Sequence, residues 1–314
     1  MNSFERMQQD VRSADSSVTG WTSHALNSGT VYAATYRGAS VLPRSVSYGI
    51  GHASTFVAWR LMHQTTDALV DNLRAVFPTE SDAALRRRAL ATYRSYARDV
   101  IDFIRGLRLS PAEAHALFVF DNRETVDELL HAGKGMLLVS AHHGNWEMGG
   151  ILLRRAYDYP LSVLAMTEAS PEANRLRDTI RQELGIDTIS VRQSMDTALQ
   201  IRRKLSEGQL VALLVDRHVG RDQVPVTLFE RPALFLRTPA LMAYLTGAPL
   251  VPVSLERRDD GRFLVHLSPP IFVGRDGDRE TLVRNATQRV AEAVEARVRA
   301  RPDLWYQFYR YWQE

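Results

Sequence analysis

The chain has 314 residues and no cysteine, which excludes disulfides, thiolate metal sites and a cysteine nucleophile. Lysine is almost missing. Lys134 and Lys204 are the only two, so nearly all the positive charge behind a formal net of +3 is arginine. GC-rich coding produces such a bias, but arginine forks also suit phosphate and carboxylate, and a basic face suits anionic lipid or an acidic carrier protein. Long hydrophobic runs are absent as well. The most apolar N-terminal window, Ala39 to Met62, is interrupted by Arg44, His52 and Arg60, short of the roughly 18 uncharged apolar residues of a spanning helix. The first residues show no basic region followed by an apolar core, so no secretory signal is read. With neither a signal nor a spanning segment, the cytoplasmic side is the expectation.

A hydrophobic content of 45% is ample for a core in a chain of this length. Residues 1–38, rich in Ser, Thr, Asn and Gly, read as a loose leader. Residues 39–110 read as a helical region: Phe56, Trp59, Arg60, Met62 and His63 share one face, and Leu85 to Ile104 carries apolar residues at helical spacing among Arg86, Arg87, Arg88 and Arg98. Packing on the rest of the chain explains the second face. The first, where aromatic and basic residues mix, also suits a membrane surface.

Residues 111–314 alternate short apolar runs with helical stretches. Strands are expected at Met136–Ala141, Leu161–Met166, Leu210–Val215, Leu250–Leu255 and Phe263–Leu267. Helices are expected at Trp146–Ala156, Pro171–Leu184, Met195–Glu207, Thr238–Leu245 and Thr281–Ala300. Strands separated by helices imply an α/β fold, a largely parallel central sheet flanked by helices, with the helical region preceding it.

The stretch most telling about chemistry is Met136-Leu137-Leu138-Val139-Ser140-Ala141-His142-His143-Gly144-Asn145-Trp146-Glu147. It reads as a buried strand that delivers His142 to a sheet edge, then a turn into a helix that returns Glu147. A neutral imidazole can take a proton from an alcohol near neutral pH, and a carboxylate can fix its tautomer and stabilise the imidazolium. His142 is therefore the candidate general base and Glu147 its partner. Gly144 and Asn145 form the turn between them, and their backbone N–H groups are candidates to hold an oxyanion. His143 is a neighbour, since adjacent residues of an extended segment point to opposite sides. No metal site is expected, because neither His-Glu-x-x-His nor a CxxC pair is present. Asp216 and Arg217 follow the strand from Leu210, at the edge where parallel sheets place their sites. A nucleic-acid role is not expected: the arginines are dispersed and no recognition motif occurs.

The His-x4-Glu pattern with Gly-Asn-Trp inside it resembles the His-x4-Asp/Glu signature of lysophospholipid and glycerolipid acyltransferases. Within that superfamily it is most similar to the branch of bacterial lipid A late acyltransferases and phosphatidylinositol mannoside acyltransferases. Further blocks agree in order: Asn72-Leu73-Arg74-Ala75-Val76-Phe77-Pro78, Val215-Asp216-Arg217, Leu228 to Ala233, Thr246-Gly247-Ala248-Pro249-Leu250-Val251-Pro252, and Pro302 to Trp312. Departures are Glu230 where the branch usually has glycine, His218 after Asp-Arg, and Gln307 and Tyr309 in place of tryptophan and histidine.

The resemblance implies an O-acyltransferase that moves a fatty acyl chain from an acyl-carrier protein or coenzyme A thioester to a hydroxyl of a membrane lipid or glycolipid. It implies no acyl-enzyme, and no cofactor beyond the thioester co-substrate. Arg181, in an Arg-x-x-x-Gly element, is implied to meet the acceptor's polar or phosphate group, with Asp216, Arg217, Asn145 and Gly144 as further substrate contacts. A thioesterase using the same two residues, or a catalytically silent lipid-binding scaffold, are the alternatives.

Overall fold

A computed structural model describes residues 41–165, 171–191, 195–217 and 220–312. The expected leader, residues 1–38, and His218 lie outside these.

Strand formation follows the apolar runs. Strand β2 (Met136–Ser140) has four consecutive buried residues, Met136 to Val139, because it is sandwiched between neighbours on both edges and helices on both faces. Along the chain the elements are helices α1 (Arg44–Leu61), α2 (His63–Val76), α3 (Asp82–Gly106) and α4 (Pro111–Leu117), strand β1 (Phe118–Phe120), helix α5 (Arg123–His131), β2, helix α6 (Trp146–Tyr157), strand β3 (Leu161–Ala165), helix α7 (Pro171–Glu183), strand β4 (Asp187–Ser190), helix α8 (Met195–Ser206) and strand β5 (Leu210–Leu214). Strands β6 (Val224–Leu228) and β7 (Arg231–Phe235), helix α9 (Thr238–Thr246), strands β8 (Leu250–Arg257) and β9 (Phe263–Leu267), helix α10 (Arg279–Ala300) and a 3-10 turn (Pro302–Leu304) complete it.

Seven strands form one sheet in the order β1-β9-β8-β2-β5-β3-β4. The run β8-β2-β5-β3-β4 is parallel throughout, β9 is antiparallel to β8, and β1 is parallel to β9. The chain leaves β2 toward β3 and β4, returns in β5 to pair with β2, then crosses to β8 on the other edge of β2. The strand order thus reverses around β2 and β5, the kind of position where open parallel sheets hold their ligands. The register makes this concrete: Ser140 pairs with Leu214, and the Val215 N–H donates to the Ser140 carbonyl at 2.8 Å. Two residues beyond that pair, His142 and Asp216 emerge side by side.

The expected α/β fold, with a mostly parallel sheet and an N-terminal helical region, is the observed one. Short elements were harder to foresee. β4 is an edge strand beginning Asp187-Thr188, β1 has three residues, and β6 and β7 form a separate antiparallel hairpin. The hairpin turns at Phe229 and Glu230, both with positive φ (52° and 62°). That backbone favours glycine, which accounts for the glycine usual at position 230 in the resembling branch. Here the turn is held instead by the buried Phe229 ring against Trp305 and by the Phe229 N–H donating to Glu295 at 2.6 Å.

Helix α3 ties the helical region to the sheet. Ser81 caps it by accepting from the Ala84 N–H, and its inner face buries Tyr93, Asp99, Asp102 and Ile104. Helix α1 is fastened to it by a polar lock: Tyr48 and Arg44 donate to Asp102 at 2.5 and 2.8 Å, and Arg257 of β8 donates to the same carboxylate and to Tyr48. Gly51 permits the close approach, since a Cβ there would sit 3.1 Å from Ile101 Cδ1. Among the described residues no helix is long and apolar enough to cross a membrane.

Candidate active site

His142 is held by Asp216. The imidazole Nδ1 lies 2.7 Å from Asp216 Oδ1, and the His142 backbone N–H donates to both carboxylate oxygens at 3.1 and 3.0 Å. The imidazole is 16% exposed while the carboxylate is fully buried. Burial alone would raise the Asp216 pKa. The His142 ring and N–H, with the Arg217 charge, overcome that and hold the carboxyl below its ordinary value. An ionised Asp216 keeps the proton on Nδ1 and leaves Nε2 as the proton acceptor.

Two more donors fix the carboxylate. Gln307 Nε2 reaches Asp216 Oδ2 at 2.6 Å, and Trp305 Nε1 at 3.4 Å. Both belong to the closing segment, which is stapled to the base loop by backbone bonds: Tyr306 N–H to the His142 carbonyl at 2.8 Å and Gly144 N–H to the Leu304 carbonyl at 2.9 Å. Arg217 fastens it from the other side, donating to the Tyr306 carbonyl and Gln307 Oε1 at 3.1 and 3.2 Å and lying over the Tyr309 ring. Asn72, from the upstream block, donates to the Gln307 and Tyr309 carbonyls at 3.0 and 2.7 Å. Gln307 is completely buried. It is a site residue that sequence reasoning marked only as a departure from tryptophan; its position two residues after Trp305 in that block was the available signal.

Glu147 does not meet the imidazole. No hydrogen bond joins it to His142; its carboxylate takes Arg177 Nη1 of α7 at 3.0 Å, and both side chains are partly exposed. The reason is the start of α6. Asn145 caps the helix by accepting from the Met148 N–H at 3.1 Å, so Trp146 is the first helical residue and its ring packs edge-on against His142, centroids 5.2 Å apart. Glu147, one step around the helix, faces α7. Removing a donor from the fully buried Asp216 carboxylate, which four donor groups hold, would strand a buried charge at a cost of several kcal/mol.

The two proposed oxyanion donors are also already engaged. The Gly144 N–H is spent on Leu304 and the Asn145 N–H donates to the Leu255 carbonyl at 3.0 Å. Gly144 is required by shape: its φ is +70°, and a Cβ there would fall 2.1 Å from the Leu255 carbonyl oxygen. Asn145 Nδ2 donates to the Asp99 carbonyl at 2.9 Å. These residues build the loop that aims His142. Arg181 lies one turn beyond Arg177 on α7, with Asp178 at 3.7 Å as an ion-pair partner. His143 points away from the base. Its Nε2 lies 3.0 Å from the Arg301 carbonyl, and burial pushes its pKa down to about 4. Among the described residues no group of three or more potential ligands could hold a metal ion.

Behind Trp146 sits a second buried acid. Asp99 Oδ2 accepts from the Tyr306 hydroxyl at 2.6 Å, and burial raises its pKa to about 7. The folded protein therefore keeps a proton that the unfolded chain releases above about pH 4. Stability contributed at this position falls as pH climbs from there to about 7, then levels off. Asp99→Asn removes that slope: thermal melts should place the variant above the native protein by a few kcal/mol at pH 8 and together with it near pH 4. Equal offsets at both pH values would contradict a protonated Asp99.

Comparison with known proteins settles the family. Residues 22–314 match the family described as bacterial lipid A biosynthesis acyltransferase. The chain belongs to that family. It is 27% identical over 293 residues to the phosphatidylinositol mannoside acyltransferase of Mycolicibacterium smegmatis, covering 90% of each chain. It is also 27% identical over 197 residues to the enzyme of the same name from Mycobacterium tuberculosis strain H37Rv, covering 62% of this chain and 60% of that one. As a member of the lipid A biosynthesis acyltransferase family, the protein is an O-acyltransferase of bacterial lipid or glycolipid synthesis, matching the resemblance read from the motif blocks.

Proposed function

We propose that the protein transfers a fatty acyl chain from an acyl-carrier protein or coenzyme A thioester to a hydroxyl of a sugar-bearing membrane lipid, with His142 as general base and Asp216 as its orienting partner. The observation that carries this is the 2.7 Å bond between His142 Nδ1 and Asp216 at the carboxyl ends of paired parallel strands. His142 Nε2 takes the proton of the acceptor hydroxyl as its oxygen attacks the thioester carbonyl carbon. The tetrahedral oxyanion collapses, the C–S bond breaks, and the imidazolium returns its proton to the leaving thiolate. An ester and a free thiol result, with no acyl-enzyme and no cofactor beyond the thioester.

A mannosylated phosphatidylinositol is the acceptor favoured by the similarity to the mycobacterial enzymes, whose name specifies it. Because the donors are cytoplasmic thioesters, the reaction belongs on the cytoplasmic face of the plasma membrane. Arg181 and the Glu147–Arg177 pair, on the α6–α7 side, are the candidates to meet the acceptor's polar group.

The test incubates purified protein with acyl-carrier-protein and acyl-coenzyme A donors and a panel of lipid acceptors, following thiol release and lipid mass together. The expected result is thiol release that depends on acceptor and matches acylated lipid one to one. Thiol release with free fatty acid and no acylated lipid would make the protein a thioesterase.

A further inference from the structure

Arg217 follows Asp216 in the chain, and its charge is used inside the protein. Its Nη2 donates to the Tyr306 carbonyl at 3.1 Å and its Nε to Gln307 Oε1 at 3.2 Å, while the guanidinium lies over the Tyr309 ring. The same Gln307 amide turns its other end to the base: Nε2 donates to Asp216 Oδ2 at 2.6 Å, and Asp216 Oδ1 meets the imidazole at 2.7 Å. Reversing the amide would set its NH2 against a guanidinium and its carbonyl against a carboxylate, so the two neighbours fix its orientation. Gln307 is completely buried, and Asn72 Nδ2 holds its backbone carbonyl at 3.0 Å. The tryptophan usual at this position in the resembling branch would offer Asp216 an indole N–H but give Arg217 no acceptor.

The other titratable groups nearby bring no cation to the carboxylate. From the closing segment, the Tyr309 and Tyr311 hydroxyls are pushed up by burial and stay neutral. Glu147 on α6 is turned to Arg177, and Asp99 on α3 meets the Tyr306 hydroxyl. Against burial, the His142 ring and then the Arg217 charge hold the Asp216 carboxyl below its ordinary value. A buried carboxylate beside an imidazole favours the imidazolium, which has no lone pair left for a substrate proton; donors and positive charge on the far side of the carboxylate oppose that.

We propose that Gln307 and Arg217 are positioning residues for the acyl transfer: the Gln307 amide couples the Arg217 guanidinium to Asp216, fixes which oxygen meets His142, and lowers the proton affinity of the His142–Asp216 pair so that the imidazole stands ready as a base at neutral pH. Arg217 thereby supports the base and does not contact the substrate. This deepens the reading of His142 as the base and rests on it, but proton affinity is measurable without turnover.

The test titrates His142 by NMR in the full chain with labelled histidines and no substrate, its resonance assigned by its loss in His142→Ala. Gln307→Met keeps the side-chain length and removes both bonds, and its His142 midpoint should rise by about one pH unit or more, the worth of a hydrogen bond to a charged group. Arg217→Met should raise the midpoint too, and by less when added to Gln307→Met, because the amide that coupled the charge is gone. In the transfer assay the acid limb of kcat/KM should move up with the midpoints, while the acceptor KM of Arg217→Met, taken on the plateau, stays within about threefold of native. Thermal melts check folding, and Gln307→Asn, one methylene too short to reach both partners, replaces Gln307→Met if that variant unfolds. Shifted midpoints in a chain that transfers no acyl group would uphold the coupling and sink the reaction assignment instead. The proposal is overturned if the Gln307→Met midpoint stays or falls, if the two substitutions add in full, or if Arg217→Met leaves the midpoint in place and raises the acceptor KM about tenfold or more, which would make Arg217 a substrate contact.

Discussion

Replacing His142 with alanine should reduce the rate of acyl transfer by roughly 10²- to 10⁴-fold, the usual contribution of a positioned general base. An alcohol oxygen is a poor nucleophile until its proton has somewhere to go, and the described site holds no other group aimed as His142 is. The His142 backbone N–H would still donate to Asp216, and Gln307 and Trp305 would still hold the carboxylate, so the fold should survive. The measurement is acylated lipid by mass spectrometry alongside a thermal melt. Full activity in the variant would remove His142 from the mechanism, whereas loss of activity with a collapsed midpoint would show only a structural role.

Asp216→Asn should be nearly as damaging, for a different reason. Every group bonded to this carboxylate is a donor: the His142 N–H and Nδ1, Gln307 Nε2 and Trp305 Nε1. An asparagine must turn its own NH2 toward one of them. If it faces His142, the imidazole is driven to the tautomer with its proton on Nε2 and cannot act as a base, a change that costs on the order of 10⁴ in rate in triad hydrolases. If it faces Gln307, a buried donor pair is left clashing and the closing segment loosens. The expected outcome is a loss of about 10³ or more in kcat, together with about 3 kcal/mol of stability, since a buried charge that organised four bonds has gone. Asp216→Glu keeps the charge but overreaches by one methylene, and should recover stability poorly at so buried a position. A kcat within tenfold of native for Asp216→Asn would mean that the carboxylate does not set the tautomer.

What the sequence could reveal follows from locality. The central strands β2 and β5 are nearly continuous apolar runs, and β3 and β8 are mainly apolar, because the sheet is covered on both faces, and such runs are visible in one dimension. The polar edge strand β4 and the Phe229–Glu230 turn are not: β4 buries only Ile189, and the turn carries no glycine although Val224, Val226 and Leu228 alternate with less buried residues before it. His142 was legible as the residue that a buried strand delivers to a sheet edge. Local spacing points to Glu147 as its partner, and the structure supplies Asp216, 74 positions later. That pairing depends on the β2–β5 register, which places residues 140 and 214 opposite each other and which no local pattern encodes. Asp216 was nonetheless marked by its place after a strand. Gln307 was not, because its part in the site comes from the closing segment crossing back over the sheet edge.

The comparison of Asp216→Asn with Glu147→Gln, as kcat/KM for acylated lipid in one assay, tests the central claim most directly. With Asp216 as the partner of His142, the asparagine variant should lose about 10³-fold or more, and the glutamine variant, which breaks only the partly exposed pair with Arg177, less than about tenfold. A Glu147→Gln loss equal to or greater than that of Asp216→Asn would contradict the account and return the orienting role to Glu147.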